Sequence, residues 1–137
     1  MNVRPPRLLI VDDDRTSQVV YSQLAKRYSF SFALASDGLE AIDLYARNPH
    51  EFTHVIMDWR MPEMSGTECA YRMREIQRKE KAFAPILCVT AQAMDGDRER
   101  ALREGMDDYL SKPFSIGQFI DMLARWSAFD PAGRKGL

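Results

Sequence analysis

Leu8–Asp14 reads LLIVDDD, and His54–Arg60 reads HVIMDWR. In each, a short apolar run stops abruptly at an acid. A continuous apolar run, with no polar alternation, suits a strand covered on both faces. Three further short, mainly apolar runs follow: Phe30–Ala35, Pro85–Val89 and the shorter Asp108–Leu110. Helical patterns separate them, at Arg15–Arg27, Gly38–Arg47, Thr67–Lys79, Asp97–Glu104 and Ser115–Ser127. Their expected apolar faces carry Val20, Tyr21 and Leu24; Leu39, Ile42, Tyr45 and Ala46; Ala70, Tyr71, Met73 and Ile76; and Phe119, Ile120, Leu123 and Trp126. The fourth helix is short and highly charged. Strand and helix therefore alternate five times. That order predicts an α/β fold: an open, five-stranded parallel sheet with right-handed crossovers and helices on both faces. The flavodoxin-like strand order 2-1-3-4-5 fits five strands in so short a chain.

The composition agrees with one such domain. The chain has 137 residues, 45% of them hydrophobic and 28% charged. Lys plus Arg is 19 and Asp plus Glu is 20, a net charge of -1. This balance argues against a dedicated nucleic-acid binder, which carries a basic excess, and against an acidic disordered tail. No apolar run approaches the roughly 18 residues of a membrane span. MNVRPPR leads into only four apolar residues before the aspartates, so no secretory signal is expected, and the cytoplasm is the expected compartment. Two cysteines make no disulfide framework. Cys88 reads as a buried apolar side chain and Cys69 as an incidental thiol. The expected division is an N-terminal tail over 1–6, one domain over 7–129 and a flexible tail over 130–137.

Ligands of open parallel sheets bind outside the carboxyl ends of the strands. The first strand ends in Asp12-Asp13-Asp14, the third in Asp58 and the fourth in Thr90-Ala91; Lys112-Pro113 follows the fifth. Asp14 suits the N-cap of the first helix. Capping accounts for neither Asp12 and Asp13 nor Asp58. An oxygen-rich, net-negative cluster beside one lysine suits a hard divalent cation such as Mg²⁺.

These residues resemble the receiver domains of two-component response regulators. LLIVDDD matches the family's first strand and acidic pair, and VIMDWRMPEMSG its phosphoacceptor segment, with Met61-Pro62 and Gly66. PILCVTAQAM matches the strand that bears its hydroxyl, and GMDDYLSKPF its aromatic, lysine and proline. The motifs cover about residues 7–128, and the wording around AQAM and GMDDYLSKPF is closer to receivers of hybrid-kinase phosphorelays than to those with DNA-binding outputs. The resemblance implies that Asp58 accepts a phosphoryl group from a phosphohistidine. It implies Mg²⁺ held by Asp13, Asp58 and the backbone carbonyl of Arg60, with Asp12 acting through metal-bound water. Thr90 and Lys112 would contact the phosphoryl oxygens, beside the small Ala91. Tyr109 would reorient with Thr90 as the switch, and Arg60 and Gln92 would tune phosphate lifetime. The implied partners are a histidine kinase or histidine phosphotransfer protein and a downstream protein, with no nucleic acid or membrane. Val19, with Ser17 and Ser22, is placed to dock a helical phosphotransfer partner or to form a core margin. Trp59 suits either an exposed partner surface or packing under its loop. The implied chain is a signalling switch that catalyses its own phosphorylation and dephosphorylation, not an enzyme acting on other substrates.

An enzymatic alternative reads LLIVDDDRT as the first motif of a haloacid-dehalogenase-like phosphatase. There Asp12 is the nucleophile, Asp14 the general acid, and Asp107-Asp108 the final acids. Against it, Lys112 follows rather than precedes the acid pair, and Asp58 has no role. A flavin module is disfavoured because acids at the first strand's end repel a phosphate.

Overall fold

A computed structural model describes residues 5–91 and 94–127. Gln92 and the expected tail over 130–137 lie outside the described residues, as do residues 1–4. The elements are β1 (Arg7–Val11), α1 (Arg15–Arg27), β2 (Ser31–Ala35), α2 (Gly38–Arg47), β3 (His54–Met57), α3 (Gly66–Glu80), β4 (Ile86–Thr90), α4 (Asp97–Arg103), β5 (Asp108–Ser111) and α5 (Ile116–Ser127). All strand pairs are parallel, in the order β2-β1-β3-β4-β5. The expected fold is the observed one, and element ends differ by a residue or so. No helix among the described residues is long and apolar enough to cross a membrane.

The continuous apolar strands divide by the two-residue period of the pleat. Leu9, Val11, Val55, Met57, Ile86 and Cys88 enter one core, with α2, α3 and Ala101 of α4. Leu8, Ile10, Ile56, Leu87 and Val89 enter the other, with α1 and α5. Both cores need apolar side chains, so no alternation is visible in the sequence. The register aligns Val11 with Met57, Met57 with Cys88, and Cys88 with Tyr109. The next residue of β1 and of β3 is an acid, so Asp12 and Asp58 leave the sheet side by side.

Several helical apolar residues turn outward, contrary to expectation. Val20 is 43% exposed, Leu39 57% and Tyr71 64%. The buried stripes follow three- and four-residue steps through Tyr21, Leu24 and Ala25 and through Ala70, Met73 and Gln77. Val20 and Tyr71 each lie one position, about 100°, off those stripes. Gln77 is tolerated inside because its amide donates to Tyr45 Oη (3.1 Å) and Ala84 O (2.9 Å). Both cysteines are buried, which pushes each thiol up to about 12.

His54 anchors the foot of β3, the strand that leads to Asp58. Its Nε2 lies 3.0 Å from Leu123 O and its Nδ1 2.7 Å from Thr53 Oγ1. A carbonyl only accepts, so Nε2 carries the proton and Nδ1 accepts from the threonine. Burial depresses the His54 pKa, and the bond to Leu123 offsets this only in part. The folded state therefore favours neutral His54, and its stability falls as pH drops below the ordinary histidine value near 6.5. Denaturant unfolding between pH 7 and 5 should show this loss. His54→Gln should flatten the profile across that window while lowering stability at pH 7 by about 1 kcal/mol.

Candidate functional site

The carboxyl edge of the sheet gathers Asp12, Asp13 and Asp58, each offering one carboxylate oxygen, with the oxygens all within 4.8 Å of one another. Three local devices build this cluster. Asp14 caps α1: its carboxylate accepts from Ser17 N (3.0 Å) and Ser17 Oγ (2.8 Å), which turns the chain straight from β1 into the helix. The ladder continues past β3, since Asp58 N donates to Val11 O at 3.0 Å. The loop after Asp58 then folds back so that Gly66 N donates to Trp59 O at 2.8 Å. A Cβ on Gly66 would lie 2.4 Å from Asp58 O and 3.0 Å from Trp59 Cα. Glycine is required there by close backbone approach.

Each acid has a different environment. Asp12 is buried, and both its oxygens are engaged: Oδ1 accepts from Asp14 N (2.9 Å) and Oδ2 from Lys112 Nζ (2.8 Å). Asp13 is exposed. Asp58 is half-buried; its Oδ1 accepts from Arg60 N at 3.3 Å, and the Thr90 hydroxyl hydrogen-bonds its carboxylate. Burial, and then the Asp12 charge, hold the Asp58 carboxyl above the ordinary aspartate range. Lys112, Arg60 N and Thr90 offset this only in part. Lys112 spans the cluster, with Nζ 3.6 Å from Asp58 Oδ2 and 3.0 Å from Ser17 Oγ. Burial disfavours its charge, but Asp12, Asp58 and Asp14 outweigh that and raise its pKa.

The structure therefore brings Asp12, Asp13, Asp58, Thr90 and Lys112 together. Arg60 joins through its backbone, and its side chain is exposed. Tyr109 is half-buried nearby, edge-on to Trp59 with ring centroids 6.4 Å apart. Trp59 is packed under the loop, and its indole N–H donates to Thr67 Oγ1 at 3.0 Å. Ser17 and Ser22 turn to internal partners, Lys112 and Gln18 O respectively, leaving Val19 49% exposed on α1. Sequence reading did not assign Ser17 to Lys112, 95 positions away. Nor did it find Gln18, whose amide donates to Asp12 O (2.7 Å) and Ser36 Oγ (3.1 Å).

The phosphatase alternative loses its acids to structure. Asp14 is the α1 cap. Asp107 pairs with Arg74 and accepts from Ile86 N. Asp108 is buried between Arg98, Arg125 and the Trp126 indole.

Arranged this way, the cluster suits a small oxygen-seeking dication. It has three hard oxygen donors, one of them exposed, and a backbone carbonyl close by on the same loop. Lys112 supplies a further positive charge on the other side.

A family model described as response regulator receiver domain matches residues 8–124. The hybrid signal transduction histidine kinase I of Dictyostelium discoideum is 35% identical over 114 residues. That alignment covers 81% of this chain but spans only 7% of the kinase's length. Among solved structures, the receiver domain of a Saccharomyces cerevisiae response regulator, co-crystallised with a histidine phosphotransfer protein, superposes with a TM-score of 0.82. It is 24% identical, with 93% of this chain and 92% of that one covered. The receiver domain of a Pseudomonas aeruginosa sensor histidine kinase, with magnesium coordinated in its active-site cleft, superposes with a TM-score of 0.80. It is 29% identical, covering 92% of this chain and all of that one, 100%.

The raised Asp58 pKa has a consequence for stability. A carboxyl whose folded pKa lies above its unfolded value favours folding at low pH, and that contribution is lost as pH rises through the folded pKa. Without added metal, Asp58→Asn should therefore raise the melting temperature at pH 7, by about 4 °C for a gain near 1 kcal/mol. The difference should shrink towards pH 4. Calorimetry at the two pH values measures it.

Proposed function

This chain belongs to the response regulator receiver family, and from that premise we propose that Asp58 is its phosphoacceptor and that a phosphohistidine protein is its donor. The chain is a phosphoacceptor signalling switch rather than an enzyme acting on other substrates. The observation that carries the assignment of Asp58 is its place in the triad: beside Asp12, on the Thr90 hydroxyl, and 3.6 Å from the Lys112 ammonium.

Mg²⁺ suits this donor set: Asp13, Asp58 and the Arg60 carbonyl would hold it, with Asp12 beside them. When bound, it would neutralise charge on the transferring phosphoryl group. The rest of the chemistry falls to the chain's own groups. The Asp58 carboxylate is the nucleophile, forming an acyl phosphate as the donor's P–N bond breaks. The transfer needs little beyond positioning and charge stabilisation. Lys112 is already poised over the cluster, and Asp12 holds it there. Thr90 donates to Asp58 and is placed to turn its hydroxyl onto a phosphoryl oxygen.

The charge count explains why the site switches. Three carboxylates carry about -3, against +3 from a dication and Lys112. Phosphorylation replaces one carboxylate charge with about -2 and leaves an excess near -1. That excess draws in Thr90 and Lys112, and the loop after β4 follows. Tyr109, half-buried at the rim, then has room to turn. Arg60 borders the path of a hydrolytic water and tunes the lifetime of the phosphoryl group, a role the reading also gives Gln92.

The receiver relative solved with a phosphotransfer protein has a protein partner. For this chain the exposed α1 pair Val19 and Val20 is the proposed docking patch for a helical donor, because it borders the acidic cluster and is unused by the core. The same reading keeps one receiver domain over 7–129, with residues 1–6 and 130–137 as tails.

Incubation with acetyl phosphate and Mg²⁺, followed by intact-protein mass measurement, tests the acceptor. Wild type should gain one phosphoryl group, and EDTA or Asp58→Asn should abolish the gain. An adduct that survives Asp58→Asn but not Asp12→Asn would overturn the assignment in favour of the phosphatase chemistry. Val19→Asp tests the docking patch. It should slow phosphotransfer from a cognate phosphohistidine protein by at least about ten-fold, equivalent to 1.4 kcal/mol, and leave labelling by acetyl phosphate unchanged.

A further inference from the structure

α4 is the least anchored helix of the fold. It has seven residues, and only Ala101 is buried. Its N-cap is Gly96, which makes no side-chain cap bond. Helix α3 buries five residues and is capped by Ser65. Packing alone therefore holds α4 weakly, and polar ties decide where it sits.

At its C-terminal end those ties close into a ring of four residues. The Trp59 indole donates to Thr67 Oγ1 at 3.0 Å. The Thr67 hydroxyl donates to Glu104 Oε1 at 2.6 Å. Glu104 Oε2 accepts from Arg100 Nε at 2.8 Å. The Arg100 guanidinium returns over the Trp59 ring, 5.0 Å from its centroid. The Thr67 hydroxyl and Arg100, with the Trp59 indole, also hold the Glu104 carboxyl below the ordinary glutamate range, so it is ionised at neutral pH. These residues line a cleft of about 340 Å³ between the helix and the loop after β3. The helix thus rests on β5 through Ala101 and is tied across this cleft by polar contacts.

The ring is connected to the site at two points. Trp59 directly follows Asp58, and its carbonyl is pinned by Gly66 N at 2.8 Å. A shift at Asp58 therefore acts directly on the residue that carries the indole. Tyr109 lies edge-on against the same indole, so turning that ring removes a contact from Trp59.

We propose that Trp59, Thr67, Glu104 and Arg100 form a latch that holds α4 to the phosphoacceptor loop and opens when Asp58 is phosphorylated. The proposal rests on the receiver reading given above. It assigns Thr67 and Glu104 as positioning residues for the switch, although neither reaches the acidic cluster. The latch opposes the phosphorylated conformation, so breaking it favours that conformation.

The test uses Thr67→Val, which keeps the side-chain shape, and Arg100→Gln, an exposed change that leaves the core untouched. Hydrogen exchange of the amides in 97–103 is measured on the metal-free chain. Binding of beryllofluoride, an acyl-phosphate mimic, is measured with Mg²⁺ and read from the ¹⁹F resonance of 5-fluorotryptophan at Trp59, assigned with Trp59→Phe. Both variants should exchange these α4 amides about five-fold faster and bind beryllofluoride about five-fold tighter, the effect of losing one net hydrogen bond. Protection in α1 and α5 should not change. Thr67→Ser should restore wild-type values. Unchanged α4 exchange in both variants overturns the proposal. Faster exchange with unchanged affinity also overturns it, because the ring is then a strut uncoupled from the site. A wild-type chain that gains no phosphoryl group from acetyl phosphate defeats the receiver reading instead, and the exchange measurement still decides whether the ring holds α4.

Discussion

The Lys112 ammonium, 2.8 Å from Asp12 and 3.6 Å from Asp58, is the interaction on which the site depends. Two half-buried or buried carboxylates side by side repel each other, and burial adds to the penalty on each charge. Lys112, just past the end of β5 at the same edge, offsets part of that repulsion. Asp58 nevertheless remains above the ordinary aspartate range. The unphosphorylated site is thus under electrostatic tension by construction. On the proposed chemistry a dication would relieve it, and a phosphoryl group would restore a negative excess that draws Thr90 and Lys112 inward. A balanced cluster would have no reason to move.

The sheet makes that tension possible. Parallel strands all end at one edge, so β1 and β3 deliver acids from positions 12 and 58 to adjacent places. The backbone bond from Asp58 N to Val11 O extends the ladder one step past the strands. Gly66 then lets the phosphoacceptor loop close against its own backbone. Opposite, the buried Asp108 draws Arg98 of α4 and Arg125 of α5 together. That aspartate is held below its ordinary range despite burial, through the Trp126 indole, Tyr109 N, Arg125 and Arg98. The residues that flank Tyr109 are thus firmly placed, while α4 itself is held mostly by polar ties. Stability and mobility are divided along the chain in the way a switch requires.

Much of this was legible in the sequence because the determining signals are local. Five apolar runs alternating with helical periods specify the fold class, since a strand buried on both faces must be apolar throughout. Acids placed directly after LLIV and VIM identify the site, because strand ends in a parallel sheet share an edge. The cap at Asp14 followed from its place before a helix. Helix faces were less legible. Val20 and Tyr71 satisfy a rough periodicity but lie about 100° from stripes that include the polar Gln77, and only the packing partners Tyr45 and Ala84 reveal why an amide belongs inside.

By itself, the sequence determined the alternation of elements, the strand-end acids and the capping residues, all set by neighbours within a few positions. Tertiary structure alone decided what depends on distant partners. It set the Lys112 contact with Ser17, the burial of Trp59 beneath Arg100, the closing of Thr67 onto Glu104 and the neutral tautomer of His54 facing Leu123. Each joins residues that are not neighbours in the chain, from 37 to 95 positions apart. Their energies come from geometry and burial, which composition and spacing do not encode.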